Sequence, residues 1–219
     1  MSEAHQAGRL PPLPSVFLPR LVPPGEAALD HAARHAACGL LAWVPGTEWA
    51  EAALVLEPET AAEARLALLA GCNALADALA GVAPADVPLG FAWPGGVLLN
   101  GGRCGQVASR PGPDGLLLLG FRLRLAFRPG HEAGLLPGET ALREEGAEAV
   151  TAADLTAGWA LHLMAGLDAW QARGWRSLAE TYLARLLEPP AAPGLQRGIH
   201  PETAALLLER QGQRQVLPC

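Results

Sequence analysis

Residues 91 to 107 carry the side chains whose types and spacing best suit anion chemistry. This segment reads FAWPGGVLLNGGRCGQV, with a Trp93-Pro94 corner, an Asn-Gly-Gly turn and a single cation, Arg103, after the turn. Glycines beside a cation on a strand are typical of a place where a ligand or another backbone approaches closely. The spacing therefore predicts that Arg103 binds an anion beside an apolar wall formed by Trp93. The alternative is that Arg103 is a strand residue that points to solvent.

The chain contains no lysine, because all sixteen cationic side chains are arginines. A guanidinium is planar and forked, whereas an ammonium is a compact point charge that can lie between two anionic groups. Binding of a carboxylate or phosphate therefore survives without lysine more readily than the transfer of one group to the other.

The segment resembles the core motif of the biotin/lipoate protein ligases. In that family the corner reads Lys-Trp-Pro-Asn-Asp, and the strand after the turn carries Lys-x-Gly-Gly, whose lysine bridges the acyl carboxylate and the phosphate of ATP. Here Ala92, Gly95 and Gly96 replace the first lysine, the asparagine and the aspartate, and Arg103 replaces the bridging lysine. The resemblance implies that Arg103 is the catalytic position. It implies these substrate-binding positions: Trp93, Gly95, Gly96, Asn100, Gly105 and Arg122.

Two further features of the family are altered in this sequence. The family's glycine- and arginine-rich loop, which keeps water from the acyl-adenylate, would correspond to residues 45–51, a segment with no arginine and two acids. The family's Gly-x-Gly-x-Asn motif appears as residues 120–124, where Arg122 and Arg124 share a strand face. That face either adds positive charge to the pocket or is simply exposed to solvent.

The resemblance implies a protein that binds a small carboxylic acid such as biotin, lipoate or octanoate. If it is active, it uses ATP with Mg to form an acyl-adenylate and transfers the acyl group to a lysine of a biotinyl or lipoyl carrier domain. A competing hypothesis is a noncatalytic binding or assembly protein that has lost the catalytic lysine and the lid. A third is acyl transfer through Cys104, since octanoyl transferases, relatives of the ligases, use a cysteine nucleophile. Cys104 is otherwise a buried structural thiol.

His31, His35 and Cys38 form a constellation outside this pattern. On a helix predicted over residues 26–38 they occupy positions i, i+4 and i+7, which share a face and could supply three ligands to zinc. No fourth ligand is identifiable, and polar residues on the wet face of an alanine-rich helix need no metal, so both interpretations stay open.

Helices alternating with hairpin-linked strands predict an α+β fold, a sheet packed with helices. The resemblance implies the mixed, mostly antiparallel sheet of class II aminoacyl-tRNA synthetases and biotin ligases, followed by a small C-terminal β hairpin. We expect a ligase-like catalytic-type domain over residues 1–188, and a linker with a truncated β subdomain over residues 189–219. The predicted helices are 26–38, 59–79, 151–172 and 175–187, and the predicted strands are 15–18, 40–44, 52–57, 87–92, 96–100, 103–109, 116–127, 204–209 and 213–217.

Charge and composition limit the partners of the chain. The formal net charge of -6 argues against nucleic acid, which attracts basic surfaces. Apolar stretches are interrupted by polar residues, so no membrane span is expected. The first residues lack a cationic region followed by an apolar run, and the four cysteines are widely spaced without a Cys-x-x-Cys, so we expect a cytoplasmic protein with free thiols.

Overall fold

The computed structural model describes residues 9–128, 130, 136 and 138–219. Its main element is a sheet of eight strands in the order β1-β2-β3-β7-β6-β5-β4-β8. β1 is parallel to β2 and β8 is parallel to β4, whereas all other neighbours are antiparallel. The strands are β1 (Leu18–Leu21), β2 (Leu40–Val44), β3 (Trp49–Leu56), β4 (Leu89–Ala92), β5 (Gly96–Leu99), β6 (Gly102–Pro111), β7 (Leu117–Arg124) and β8 (Leu186–Glu188).

A second, smaller sheet and four α-helices complete the described chain. The small sheet is antiparallel, in the order β11-β10-β9. The prediction of an α+β fold with a mostly antiparallel mixed sheet is confirmed. The remaining elements are α1 (Ala28–Arg34), α2 (Ala61–Ala80), α3 (Ala152–Arg173), α4 (Trp175–Ala184), β9 (Gln196–Ile199), β10 (Leu206–Arg210) and β11 (Gln213–Leu217). No helix in the described ranges is long and apolar enough to cross a membrane.

Helix starts are set by local sequence. Thr60 and Glu63 form a capping box at the start of α2. The Thr60 hydroxyl accepts the backbone N–H of Glu63, and the Glu63 carboxylate accepts the backbone N–H of Thr60. The Thr151 hydroxyl accepts the Asp154 N–H at 3.1 Å at the start of α3. Both caps satisfy N–H groups that have no partner within the helix, so the predicted starts of these two helices agree with the structure to within two residues.

Several elements differ from the sequence prediction, and three strands are displaced at one end or both: β1 is 18–21 rather than 15–18, β3 begins at 49 rather than 52, and β7 ends at 124 rather than 127. The first helix ends at Arg34 rather than 38, because residues 36–39 turn the chain into β2. The last predicted helix ends at Ala184, and Leu186–Glu188 pairs instead with β4, directly before a proline pair that disfavours helix. The terminal hairpin is part of a three-stranded sheet, because Gln196–Ile199 pairs with β10. The pairing of β8 with β4 joins segments that are distant in the sequence, which local pattern does not reveal, whereas β9 is a hairpin neighbour of β10 whose residues Gln196–Ile199 show no apolar alternation.

The two faces of the large sheet are covered unequally. Helices α2, α3 and α4 lie on one face, the helical face, and bury the main core. Helix α1 packs on the second face against β2, β3 and β7 and buries a smaller cluster. Beyond α1, polar side chains of β3, β6 and β7 remain on the second face, and we call this part the open face.

Trp159 of α3 joins the helical layers to the sheet. It is completely buried, its indole N–H donates to the Gly71 carbonyl of α2 at 3.1 Å, and its ring meets Phe121 of β7 edge-on at 5.1 Å. Gly71 has no free space beside it, since a Cβ there would lie 3.0 Å from Leu119 and 3.1 Å from Val107.

We predict that Trp159→Phe lowers the free energy of unfolding by at least about 2 kcal/mol, because it removes a buried hydrogen bond and leaves a cavity. Urea unfolding followed by circular dichroism measures this change. Trp175→Phe, which alters a half-buried ring, is the control and should cost clearly less. Equal losses in the two variants would contradict the role given to Trp159.

Candidate functional site

A β-bulge in β6 places Arg103 on the open face. Along the β5–β6 ladder Val97 pairs with Gly105, but the next residue, Leu98, pairs with Arg103, so Cys104 is an extra residue in β6. Bulges interrupt the alternation of side chains and re-aim one of them. Cys104 packs in the main core and touches the cavity only as a buried residue, whereas Arg103 is exposed and borders the same cavity as Gln106. Strict alternation would have put Arg103 and Gln106 on opposite faces.

The backbone of Arg103 is hydrogen-bonded to residues 138–140. Its N–H donates to the Gly138 carbonyl at 2.7 Å, and its carbonyl accepts the Thr140 N–H at 3.1 Å. The guanidinium of Arg103 makes no ion pair or hydrogen bond with any residue in the described ranges. The backbone is therefore fixed while the charge stays available.

A cavity of about 230 Å³ lies beside Arg103, and we call it the Arg103 cavity. Two of its three arginines are neutralised: Arg124 Nη2 lies 2.8 Å from Glu139 Oε2, and Arg122 Nε lies 3.6 Å from Glu51 Oε2. Among described residues the positive charge of Arg103 has no such partner. The cavity therefore carries one unbalanced positive charge, which suits a single carboxylate.

Trp49 organises the two neutralised arginines. The guanidinium carbons of Arg122 and Arg124 lie over the Trp49 ring, 4.1 and 4.3 Å from its centroid. Arg122 and Arg124 thus share a face, border the Arg103 cavity, and leave Arg122 half exposed. Sequence reasoning missed Trp49 because it placed the residue in a loop. The alternation Trp49-Ala50-Glu51-Ala52 was the available signal that β3 begins there.

A second cavity, of about 420 Å³, lies between the start of α1 and the strands β3, β6 and β7, and we call it the α1 cavity. Gln106 and Arg122 line both cavities. Glu51 also lines the α1 cavity, and its Oε1 accepts the Ala28 N–H at 2.6 Å. Gln106 was another residue that sequence reasoning did not single out.

The Trp93-Pro94 corner lies away from both cavities. Trp93 is half-buried, meets Tyr182 of α4 edge-on at 5.8 Å, and donates its indole N–H to the Pro218 carbonyl at 2.8 Å. The Pro94 carbonyl accepts the Tyr182 hydroxyl at 2.6 Å, and the Trp93-Pro94 peptide is cis. Burial raises the pKa of Tyr182, so the phenol stays protonated and can donate. In this structure the corner joins the sheet to α4 and to the C-terminal residues.

Asn100 also lies outside both cavities. It adopts a positive φ of 50° in the turn between β5 and β6, where Gly101 follows with a φ of 79°. Its amide donates to Glu145 Oε2 at 2.9 Å, and the Thr140 hydroxyl donates to Glu145 Oε1 at 2.6 Å. Asn100 therefore holds the turn against the segment that follows Gly138.

The three glycines predicted at the site differ in what surrounds them. A Cβ on Gly96 would lie 2.5 Å from Arg103 Nη1, so the guanidinium lies across this glycine. A Cβ on Gly105 would collide with the Arg122 carbonyl, and one on Gly95 would collide with the Val107 carbonyl. Gly96 thus makes room for a mobile side chain, whereas the other two make room for backbone.

Cys104 is unsuited to nucleophilic catalysis. Only 2% of it is exposed, and its Sγ donates to the Arg124 carbonyl at 3.5 Å. Burial raises the pKa of the thiol to about 12, so the nucleophilic thiolate is scarce at neutral pH. These observations argue against acyl transfer through Cys104.

The metal interpretation of the first helix is not supported. His31 and His35 lie side by side, with ring centroids 4.5 Å apart, but α1 ends at Arg34 and Cys38 lies beyond the helix, so the expected face of three residues does not form. His31 is buried, with Nδ1 3.3 Å from Glu26 Oε1. No group of three or more histidine, cysteine or acidic residues suited to a metal occurs in the part of the chain that the structure describes.

Comparisons with known proteins agree with the fold described above. The sequence profile of the biotin/lipoate A/B protein ligase family matches residues 10–184. A biotin protein ligase-like protein of unknown function from a Silicibacter species is 25% identical, with a TM-score of 0.79 over 94% of this chain and 96% of its own. No curated protein sequence matches significantly.

More distant structures share the fold. Biotin protein ligase from Aquifex aeolicus in complex with biotin and ATP is 9% identical, with a TM-score of 0.71 over 92% of this chain and 95% of its own. Biotin protein ligase from Leishmania major in complex with biotin is 15% identical, with a TM-score of 0.56 over 93% and 97%.

We predict that Gly96→Ala and Gly105→Ala have different effects. The first displaces the Arg103 guanidinium and changes anion binding with little loss of stability, because a side-chain end can move. The second presses on backbone of β7 and should lower the free energy of unfolding by about 1–3 kcal/mol. Thermal unfolding of both variants checks this, and a loss of stability in Gly96→Ala as large as in Gly105→Ala would contradict it.

We also predict that the four cysteines fall into two classes in native labelling. Cys38 and Cys219 are exposed, while Cys72 and Cys104 are buried. Burial raises the pKa of both buried thiols and also that of Cys219, so Cys219 should react more slowly than Cys38. Iodoacetamide at pH 8 should modify only the exposed pair in the folded protein and all four in urea, as read by mass spectrometry. Rapid native modification of Cys104 would revive the cysteine mechanism.

Proposed function

Because the chain belongs to the biotin/lipoate A/B protein ligase family, we propose that it binds a small carboxylic acid whose carboxylate is held by Arg103. The observation that carries this proposal is the unpaired charge of Arg103 in a cavity whose other two arginines are already neutralised by acids. A carboxylate is the natural partner of a guanidinium, because two parallel N–H···O bonds fit the planar fork.

The surroundings of Arg103 suit reversible binding. The side chain lies across Gly96, so it is supported by backbone and free to turn toward a ligand. Trp49, whose ring lies against the guanidinium groups of Arg122 and Arg124, also borders the cavity and adds apolar surface to it. Biotin, lipoate and octanoate are the acids that the family resemblance suggests. The relative from Aquifex aeolicus is described with biotin and ATP.

Ligation is the further step that an active enzyme would perform, using ATP with Mg to form an acyl-adenylate and the lysine of a biotinyl or lipoyl carrier domain as acceptor. The chain's own residues favour binding over this step. The loop between β2 and β3 is reduced to residues 45–48 and has no arginine, so it offers little to cover an adenylate. Arg103 stands where the resemblance places a lysine, and a guanidinium tends to engage one anion rather than lie between two.

A noncatalytic ligase-fold protein is therefore the second candidate function. It rests on the same substitutions: Ala92, Gly95 and Gly96 at the corner, Arg103 after the turn, and the short loop. As an acid-binding protein it would share the acid site with an active ligase and differ only in whether ATP is consumed, whereas as an assembly protein it would use the pocket or the sheet edge for a partner.

We predict that Arg103→Ala weakens binding of the acid at least tenfold, since a hydrogen bond to a charged group contributes about 1.5–3 kcal/mol. Calorimetry with biotin, lipoate and octanoate measures the affinity. The free energy of unfolding should change by less than about 0.5 kcal/mol, because Arg103 has no partner among the described residues. Arg214→Ala, an exposed arginine of β11, is the matched control and should leave the affinity unchanged.

A pyrophosphate-release assay with ATP, Mg and each acid separates the two candidates. We expect binding without appreciable release. Vigorous release that disappears in Arg103→Ala would assign ligation to the protein. Failure of the wild type to bind any carboxylic acid would refute the proposed function.

A further inference from the structure

Three polar side chains form a row across the open face. Glu51 of β3 is the cross-strand partner of Arg122 in β7, and Arg122 is the partner of Gln106 in β6. Cross-strand partners lie side by side on the same face of a sheet. We call this row of Glu51, Arg122 and Gln106 the polar ridge.

The first two members of the polar ridge are held in place. Glu51 accepts the Ala28 N–H at 2.6 Å, and its other oxygen lies 3.6 Å from Arg122 Nε. Arg122 also lies over the Trp49 ring at 4.1 Å. By contrast, the side chain of Gln106 makes no hydrogen bond with another residue in the described ranges. The position of the Gln106 side chain at the end of the ridge is thus set only by its own size and rotamer.

The polar ridge stands between the two cavities. Arg122 and Gln106 line both, while Trp49, Arg103 and Glu139 line only the Arg103 cavity and Glu51 lines only the α1 cavity. The Arg103 cavity, at about 230 Å³, is smaller than typical small-molecule pockets of about 300–1,000 Å³. The α1 cavity, at about 420 Å³, lies within that range but has no unbalanced cation.

We propose that Gln106 is the specificity-determining residue of the acid site, and that the polar ridge makes the site favour compact, short-chain monocarboxylic acids over longer or ring-bearing acids such as octanoate and biotin. This inference rests on the proposed function, since it assumes that Arg103 holds the carboxylate. The apolar part of the acid then extends toward Gln106 and stops there. Removing the Gln106 side chain joins the two cavities and lets a longer chain or a ring continue toward Ala108 and Gly120.

The test is a length series of straight-chain acids. Butanoate, hexanoate, octanoate and decanoate, with biotin as a ring-bearing acid, are titrated by calorimetry into the wild type and into Gln106→Gly. Each methylene that becomes buried raises affinity about fourfold. In the wild type this gain should end before octanoate. In Gln106→Gly it should continue, so that the affinity ratio of decanoate to butanoate rises at least tenfold over that of the wild type.

Two control variants isolate the size of residue 106. Gln106→Met keeps the length of the side chain without its amide, and it should keep the wild-type ratio. Ser109→Gly places a glycine in the same strand on the opposite face, where Ser109 pairs with core residue Leu119, and it should also keep the ratio. Gln106→Ala replaces the glycine variant if thermal unfolding shows that Gln106→Gly is not folded.

The outcomes distinguish a failure of the inference about Gln106 from a failure of the proposed acid binding. If acids bind but the length profile is the same in the wild type and in the variants with Gly or Ala at this position, the inference is wrong and the acid site stands. If Gln106→Met shows the same extended profile as Gln106→Gly, the amide and not the size sets specificity, which also overturns it. If no acid binds to any variant, the proposed function itself fails.

Discussion

The β-bulge at Cys104 is the constraint on which the candidate site depends. If Cys104 occupied a regular ladder position in β6 instead of a bulge, Arg103 would alternate onto the helical face and its charge would be directed into the apolar core. With the bulge, the small thiol fills that core and the guanidinium lies across Gly96 on the open face. One inserted residue thus separates a buried cysteine from an available cation, although the two are neighbours in sequence.

The register of β7 is fixed by the packing of its apolar side chains on the helical face. Leu119, Phe121 and Leu123 are buried in the main core, and Phe121 packs against the completely buried Trp159. A slip of one residue would exchange them for Arg122 and Arg124, and burying unpaired charge costs far more than the slip could gain. Packing on the helical face therefore holds the polar ridge and the arginine pair on the open face.

The two tryptophans near the site have separate tasks. Trp93 supports the fold, since its indole N–H bonds to the C-terminal segment and its ring meets Tyr182. Trp49 supports the site, because it lies against both neutralised arginines. The family fold is retained, and the charges around the cavity leave Arg103 without an ion-pair partner among the described residues. Under the proposed function, this arrangement suits binding of an acid better than its passage between two anions.

The sequence by itself determined the features that depend on neighbours along the chain. Period-two alternation indicated that Arg122 and Arg124 share a face, the sequence patterns over 59–79 and 151–172 predicted the two long helices, and the motif around Arg103 led to the family. Only the tertiary structure decided the end of α1, the third strand of the small sheet, the pairing of β8, the bulge, and the meeting of Trp49, Gln106 and Glu139 with Arg103. The pairing of β8 and the meeting of these side chains arise from contacts between segments far apart in sequence, where the burial of one strand face outweighs local propensity. The end of α1, the strand β9 and the bulge are local, but no periodic pattern marked them. For this reason the sequence pointed to Arg103 as a candidate residue, while the walls of its cavity could not be predicted.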